Sequence, residues 1–288
     1  MNQLKYFIEL IRLKKPVGFM LLFWPCAWGL TLAYDFSNNL NMYYFYLFLF
    51  FSGSVLMRSA GCIVNDIFDR EFDKKVFRTK DRPLASKKIS VKLATIYIFT
   101  LCFLALIVLM NFNSLTIILA ICSMPLAFTY PLMKRFTYWP QLFLGITFNY
   151  GLILGWTSIK NQIDIIPIIF YMGAIFWTLG YDTIYGYQDI KDDEIIGLKS
   201  TSIKFKGKEK NFLYLCYLIL TILFLIGGIY MEFNYLYFIL AIIPFCHLFF
   251  FQMKIFRAND SLSCLRAFRS NNLFGLIIFL NFLISKNF

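Results

Sequence analysis

The chain alternates between clumps of charge and apolar runs of about 18 to 22 residues, each long enough for a helix to cross a bilayer. That alternation limits the fold more than any other feature. Hydrocarbon offers no water to backbone N–H and C=O groups, so each run must close its own hydrogen bonds as a helix. Nine such runs are predicted, at residues 16–34, 42–64, 93–110, 115–131, 141–158, 165–185, 212–230, 235–253 and 273–285. The chain therefore reads as all-α: a polytopic membrane protein, a single domain over residues 1–288, with about nine transmembrane helices in a bundle. A soluble helical protein is a poor fit, because 59% of the residues are hydrophobic and only 15% are charged.

The charge that remains is unevenly placed. Lys and Arg crowd the segment before the first span and the loops after the second, fourth, sixth and eighth. The alternate loops, 35–41, 111–114, 160–164 and 231–234, hold Lys160 alone. This is the positive-inside pattern, with the N-terminus cytoplasmic and the C-terminus outside. It accounts for the net charge of +12 without any nucleic acid partner. The seven cysteines form no CxxC pair and read as small interior residues. His247, inside PFCHLFFF, reads as a packed, satisfied histidine. The N-terminal segment has neither a cleavage site nor the features of a transit peptide, which points to a bacterial inner membrane.

Two stretches concentrate the acids. Asp66, Asp69, Glu71, Asp73 and Asp81 lie in NDIFDREFDKKVFRTKDRP, and Asp182, Asp189, Asp192, Asp193 and Glu194 in YDTIYGYQDIKDDE. Asn65, Asp69 and Asp73 fall four residues apart and would line one helix face over about 12 Å. Asp189 and Asp193 share that spacing. Both stretches start at the end of an apolar run, at the same expected side and four spans apart. Ionisable groups at a membrane boundary are costly unless they serve a polar interior. Crowded carboxylates raise one another's pKa, and a divalent cation removes the conflict. Oxygen ligands without His or Cys favour Mg²⁺, which bridges to substrate phosphates. Arg78, Lys80, Arg82, Lys134 and Arg135 would suit the diphosphate. Arg58, two turns before Asn65, needs an anionic partner: a carboxylate of the chain or a substrate. Acids lining a transport path would sit in mid-span, and these do not.

NDIFDREFDKK resembles the NDxxDxxxD signature of the UbiA-type membrane prenyltransferases, and DIKDD at 189–193 is similar to their second DxxxD motif. IRLKKPVGFMLLFWPCAWGL, MRSAGCIVNDIFDREFD, RTKDRPLAS, TYPLMKRFTYWPQLFLG and GYDTIYGYQDIKDDEIIGLKSTSIKFKG resemble the 4-hydroxybenzoate polyprenyltransferase branch of ubiquinone synthesis. The resemblance runs to about Gly207; the last third shares only the apolar pattern. Lys14 stands where that branch more often has an acid. The resemblance implies transfer of a polyprenyl group from polyprenyl diphosphate to 4-hydroxybenzoate, ortho to its hydroxyl. It implies Mg²⁺ on Asn65, Asp69 and Asp73 and again on Asp189 and Asp193, in a site that the Lys and Arg pattern of the loops turns toward the cytoplasm. Asp66 or Asp182 would accept the ring proton, Arg135 or Arg58 would meet the benzoate carboxylate, and Tyr185 joins the substrate contacts. Haem, naphthoate or homogentisate acceptors are the alternatives within the family, and an ion or solute carrier is the alternative outside it.

Overall fold

A computed structural model describes residues 2–287. An amphipathic helix, α1 (Asn2–Leu10), precedes the first span, α2 (Val17–Ala33). The long α3 (Leu40–Phe68) runs directly into a single turn, α4 (Arg70–Asp73). After a looped segment come α5 (Val91–Leu109) and α6 (Ser114–Thr129), the latter continued by a 3₁₀ turn (Tyr130–Leu132) and α7 (Met133–Phe136). The fifth span is α8 (Pro140–Asn149) and α9 (Gly151–Lys160), broken only at Tyr150. The sixth is α10 (Ile165–Gly186), followed by two short helices, α11 (Ile190–Ile196) and α12 (Thr201–Lys204). Next are α13 (Glu209–Tyr230) and α14 (Tyr235–Cys246), with a π-helical stretch (His247–Gln252) and α15 (Met253–Ile255) extending the latter. The chain closes with α16 (Ser261–Asn287). The described residues contain helices and no strands.

Eight of these spans are long and apolar enough to cross a membrane, and α2, at 17 residues, is the shorter ninth. The four tight loops that the charge pattern marks as poor in Lys and Arg each end in a side-chain cap. Asn39, Asn113, Asp164 and Asn234 accept from the first free N–H groups of α3, α6, α10 and α14. Short polar residues satisfy the donors that the helix itself leaves open, so each return is made in a few residues.

The last span differs from its expected limits. The sequence predicts 273–285, and α16 spans 27 residues. Its polar first half is an interior partner to the indoles rather than a loop. Trp177 Nε1 donates to Asn271 Oδ1 at 2.8 Å, Trp24 Nε1 to Asn272 Oδ1 at 2.9 Å, and Trp28 Nε1 to the Gly275 carbonyl at 3.0 Å. His247 is buried as expected, and its Nε2 has no hydrogen-bond partner among the described residues.

In lipid, helices associate through close packing and internal polar contacts, which favours small residues at crossings. α2 and α9 cross on Gly29, Gly151 and Gly155. A Cβ added at Gly155 would lie 2.4 Å from the Cys26 carbonyl oxygen and 2.5 Å from the Leu30 nitrogen. Both are backbone atoms and cannot swing aside. Gly155→Ala is therefore expected to destabilise the bundle by about 1–3 kcal/mol, read as a fall in melting temperature in detergent micelles. An unchanged melt would contradict this crossing.

Candidate active site

α3 carries the first acidic stretch. One continuous helical row is expected from the spacing, but α3 stops at Phe68. Asp69 takes φ −92°, ψ −1°, and the turn resumes as α4. The repeat survives the break, because Asp69 N–H donates to Asn65 O at 2.9 Å and Asp73 N–H to Asp69 O at 2.7 Å. The second stretch repeats the device. α10 ends at Gly186, Asp189 sits at φ −115°, ψ 8°, and α11 starts after it. This sparsely used backbone region recurs at active sites. Here it interrupts each span at its first or second motif carboxylate, Asp69 and Asp189.

The loop after α4 and the turn after α6 bring basic side chains between the rows. Arg78 grips Asp189 with both arms of its guanidinium, Nε at 2.7 Å from Oδ1 and Nη2 on Oδ2, and also donates to Tyr185 Oη at 3.4 Å. The Phe77 backbone N–H donates to Asp192 Oδ2 at 3.3 Å. Lys134 Nζ meets Asp69 Oδ2 at 2.5 Å. Arg82 Nη1 bonds both oxygens of Asp73, at 3.0 and 2.8 Å, and Asp66 Oδ1 at 3.2 Å. Arg12 Nη2 reaches the same Asp66 oxygen at 2.5 Å. The loop after α4 ties both rows into one site: Phe77 and Arg78 bond Asp192 and Asp189, and Arg82, four residues on, bonds Asp73 and Asp66.

Burial and crowding act on these carboxyls. Asp193 is pushed up to about 7, first by burial and then by Asp189, against the opposing pull of Lys134 and Arg78. Asp73 is also raised, mainly by burial, with Arg82 opposing and Asp66 and Asp69 adding. Asp69 is 3% exposed, yet its Oδ1 has no hydrogen-bond partner among the described residues. An orphaned, buried carboxylate oxygen beside carboxyls of raised pKa is a donor set that fits a hard cation. Among the described residues no three His, Cys, Asp or Glu side chains converge on one point. The carboxylates could hold Mg²⁺ only with oxygens from elsewhere, which is how Mg²⁺ is commonly bound.

Asp66 and Asp182 are both expected as proton acceptors, and the structure separates them. Asp66 is buried and held by two guanidinium groups. Asp182, on α10, enters no hydrogen bond or ion pair among the described residues and lies in the field of Arg58. Arg58 is likewise unpaired there and stacks over Phe148, 5.3 Å from the ring centroid. The candidates for the benzoate carboxylate separate too. Arg135 is exposed, donates to the Phe68 carbonyl at 2.7 Å and lies over Phe72. Lys80, expected beside the diphosphate, is exposed, lies 4.6 Å over the Phe77 ring and forms no ion pair among the described residues. Tyr185 lines the junction, its ring tilted at 50° against Phe268 with centroids 4.6 Å apart. An apolar groove of about 490 Å³ opens between α13 and α14, and none of the site residues lines it.

Arg12 is the site residue that sequence reasoning missed. Its one signal was a position among Lys14 and Lys15 before Pro16, which charge counting assigns to the membrane surface.

With this geometry in hand, known proteins are informative. The UbiA prenyltransferase family matches residues 22–283. The chain is 43% identical to the mitochondrial 4-hydroxybenzoate polyprenyltransferase of Bos taurus, over 98% of this chain and 76% of that protein. It is 38% identical to the 4-hydroxybenzoate octaprenyltransferase of Francisella tularensis subsp. novicida, over 97% of this chain and 96% of that protein. A UbiA homolog from Aeropyrum pernix K1 superposes with a TM-score of 0.70 at 20% identity, covering 92% of this chain and 97% of that one. A UbiA homolog from Archaeoglobus fulgidus, solved with GPP and Mg²⁺, gives 0.70 at 16% identity, covering 98% and 100%. These superpositions establish the shared helical fold, and the family match extends over nearly every span. The chain belongs to the UbiA prenyltransferase family.

Proposed function

We propose that this chain transfers a polyprenyl group from polyprenyl diphosphate to 4-hydroxybenzoate, at the ring carbon ortho to the hydroxyl, as a step of ubiquinone synthesis. The observation that carries the reading is that one loop holds the second carboxylate row through Arg78 and the first through Arg82, with Asp69 Oδ1 buried and without a hydrogen-bond partner among the described residues. Relatives named for 4-hydroxybenzoate prenylation support the choice of acceptor.

Asn65, Asp69 and Asp73 on one side and Asp189 and Asp193 on the other are the proposed holders of Mg²⁺. Bound there, Mg²⁺ would offset the charge that develops on the leaving diphosphate. Arg78, Arg82 and Lys134 hold phosphate oxygens in the same role, as fixed positive groups that need no reorganisation. The C–O bond to the allylic carbon breaks, and a C–C bond forms from that carbon to the ring. Arg58 orients the ring by its carboxylate. Asp182, free of other partners, takes the displaced ring proton. Tyr130, Tyr181 and Tyr185 lie in the field of this charge cluster and wall it from water, which would quench the allylic cation. Asp66 is left to organise its arginines.

We place the protein as a multi-pass protein of the bacterial inner membrane, with its carboxylate end facing the cytoplasm. The crowding of Lys and Arg in loops at that end supports the orientation.

The deciding experiment incubates membranes carrying the chain with geranyl diphosphate, Mg²⁺ and 4-hydroxybenzoate, with and without excess EDTA. A prenylated acid is expected only where metal is free. Equal product in EDTA would rule out the cation, and product from a naphthoate or homogentisate alone would change the acceptor.

A further inference from the structure

Arg12 ends α1 in an unusual way. Its φ is +55°, the left-handed region that L side chains rarely adopt. The turn is a helix C-cap of paired bonds: Arg12 N–H to Glu9 O at 3.1 Å and Leu13 N–H to Ile8 O at 3.3 Å. Glycine is the usual residue at that position, because it meets no Cβ clash there. An arginine in its place carries a steric penalty, and strain of this kind persists where the side chain is needed.

The side chain is delivered inward. Leu10 and Ile11 are buried with Ala60, Ile63, Leu84 and Ala94, and Phe7 packs on Tyr97, so α1 is fixed against α3 and α5. From that base Arg12 reaches Asp66, 54 positions away. Asp66 is 2% exposed and has one other cation, Arg82. Arg82 offers a single nitrogen, Nη1, to Asp66 and to both oxygens of Asp73. Two buried carboxylates therefore share the two N–H groups of one nitrogen among three contacts. A buried carboxylate stripped of its partner is costly and draws in the nearest cation. Without Arg12, Asp66 would take Arg82 away from Asp73 and from an incoming phosphate.

We infer that Arg12 is a positioning residue for the diphosphate: by neutralising Asp66 it leaves Arg82 to Asp73 and to the phosphate oxygens. The N-terminal helix thus completes an anion site built mainly by the loop after α4. The inference rests on the prenyl diphosphate reading above.

The test measures Kd for geranyl diphosphate with Mg²⁺ on the full chain in lipid-supplemented micelles, together with KM for donor and acceptor. Arg12→Ala should weaken donor binding about tenfold or more and leave the acceptor KM within twofold. Arg12→Lys should restore part of the loss. Adding Asp66→Asn to Arg12→Ala should recover most of the donor affinity, because the unpaired carboxylate no longer competes for Arg82. Arg12→Gly should show the same binding loss as Arg12→Ala with an equal or higher melting temperature, since glycine accepts the left-handed turn. Unchanged donor affinity in Arg12→Ala overturns the inference, as does a double variant no better than the single one. So does a parallel rise of both KM values with a falling melt, which marks a purely structural role. A wild-type chain that binds the diphosphate yet prenylates no 4-hydroxybenzoate sinks the functional reading, and the Kd comparison still decides this one.

Discussion

Asp69→Ala and Asp189→Ala are each expected to lower prenyl transfer by about 10³-fold or more, while the protein still accumulates in membranes. The magnitude follows from what is removed. One preorganised group facing a developing charge is worth about 10²–10³ in turnover, and loss of a metal ligand adds the charge stabilisation of the cation itself. The fold should survive, because the partners left behind can rehydrate: Lys134 is 24% exposed and Arg78 35%. Neither carboxylate lies in the Trp28, Trp177 and Phe274 core that holds the helices together. The check is steady-state turnover with saturating Mg²⁺, alongside membrane yield and melting temperature. Near-normal turnover in either variant would falsify the two-row assignment. A collapse of yield in both would recast the carboxylates as structural.

The second large effect concerns the acceptor. Arg58→Leu is expected to raise the KM for 4-hydroxybenzoate by about 10- to 100-fold, because a charge-assisted pair of this type contributes about 1.5–3 kcal/mol. Donor affinity should hold, since Arg58 lies two turns before Asn65 on α3 and, among the described residues, forms no ion pair with the carboxylates that Arg78, Arg82 and Lys134 meet. Arg58→Lys should recover little, as an ammonium cannot make the planar, two-bonded grip. Wild type should prefer 4-hydroxybenzoate over 4-hydroxybenzamide, and Arg58→Leu should lose most of that preference. Retained preference in the variant would assign Arg58 to Asp182 as a structural partner.

Much of the fold was legible because its signals are local. Apolar length marks a span, and the spacing of Asn65, Asp69 and Asp73 is preserved even though the helix breaks at Asp69. The break itself was not legible. It depends on Asp69 adopting a backbone region that spacing does not report. The true start of α16 was hidden for a related reason. Asn271 and Asn272 read as loop residues until the indoles of Trp177 and Trp24 supply their partners. Within the site, the sequence could list basic residues near the acids but could not rank them. Arg78, Arg82 and Lys134 meet carboxylates, whereas Lys80 and Arg135 turn to Phe77 and Phe72.

The sequence by itself determined a bundle of about nine membrane helices with two carboxylate rows at helix ends, because hydrophobic length and residue spacing act within one segment. Only the tertiary structure decided which cation meets which acid. It paired Arg12 with Asp66 across 54 positions and, among the described residues, left Asp182 and Arg58 without ion-pair partners. Ion pairs form between groups that packing brings within a few ångströms, and that proximity is a property of the assembled helices.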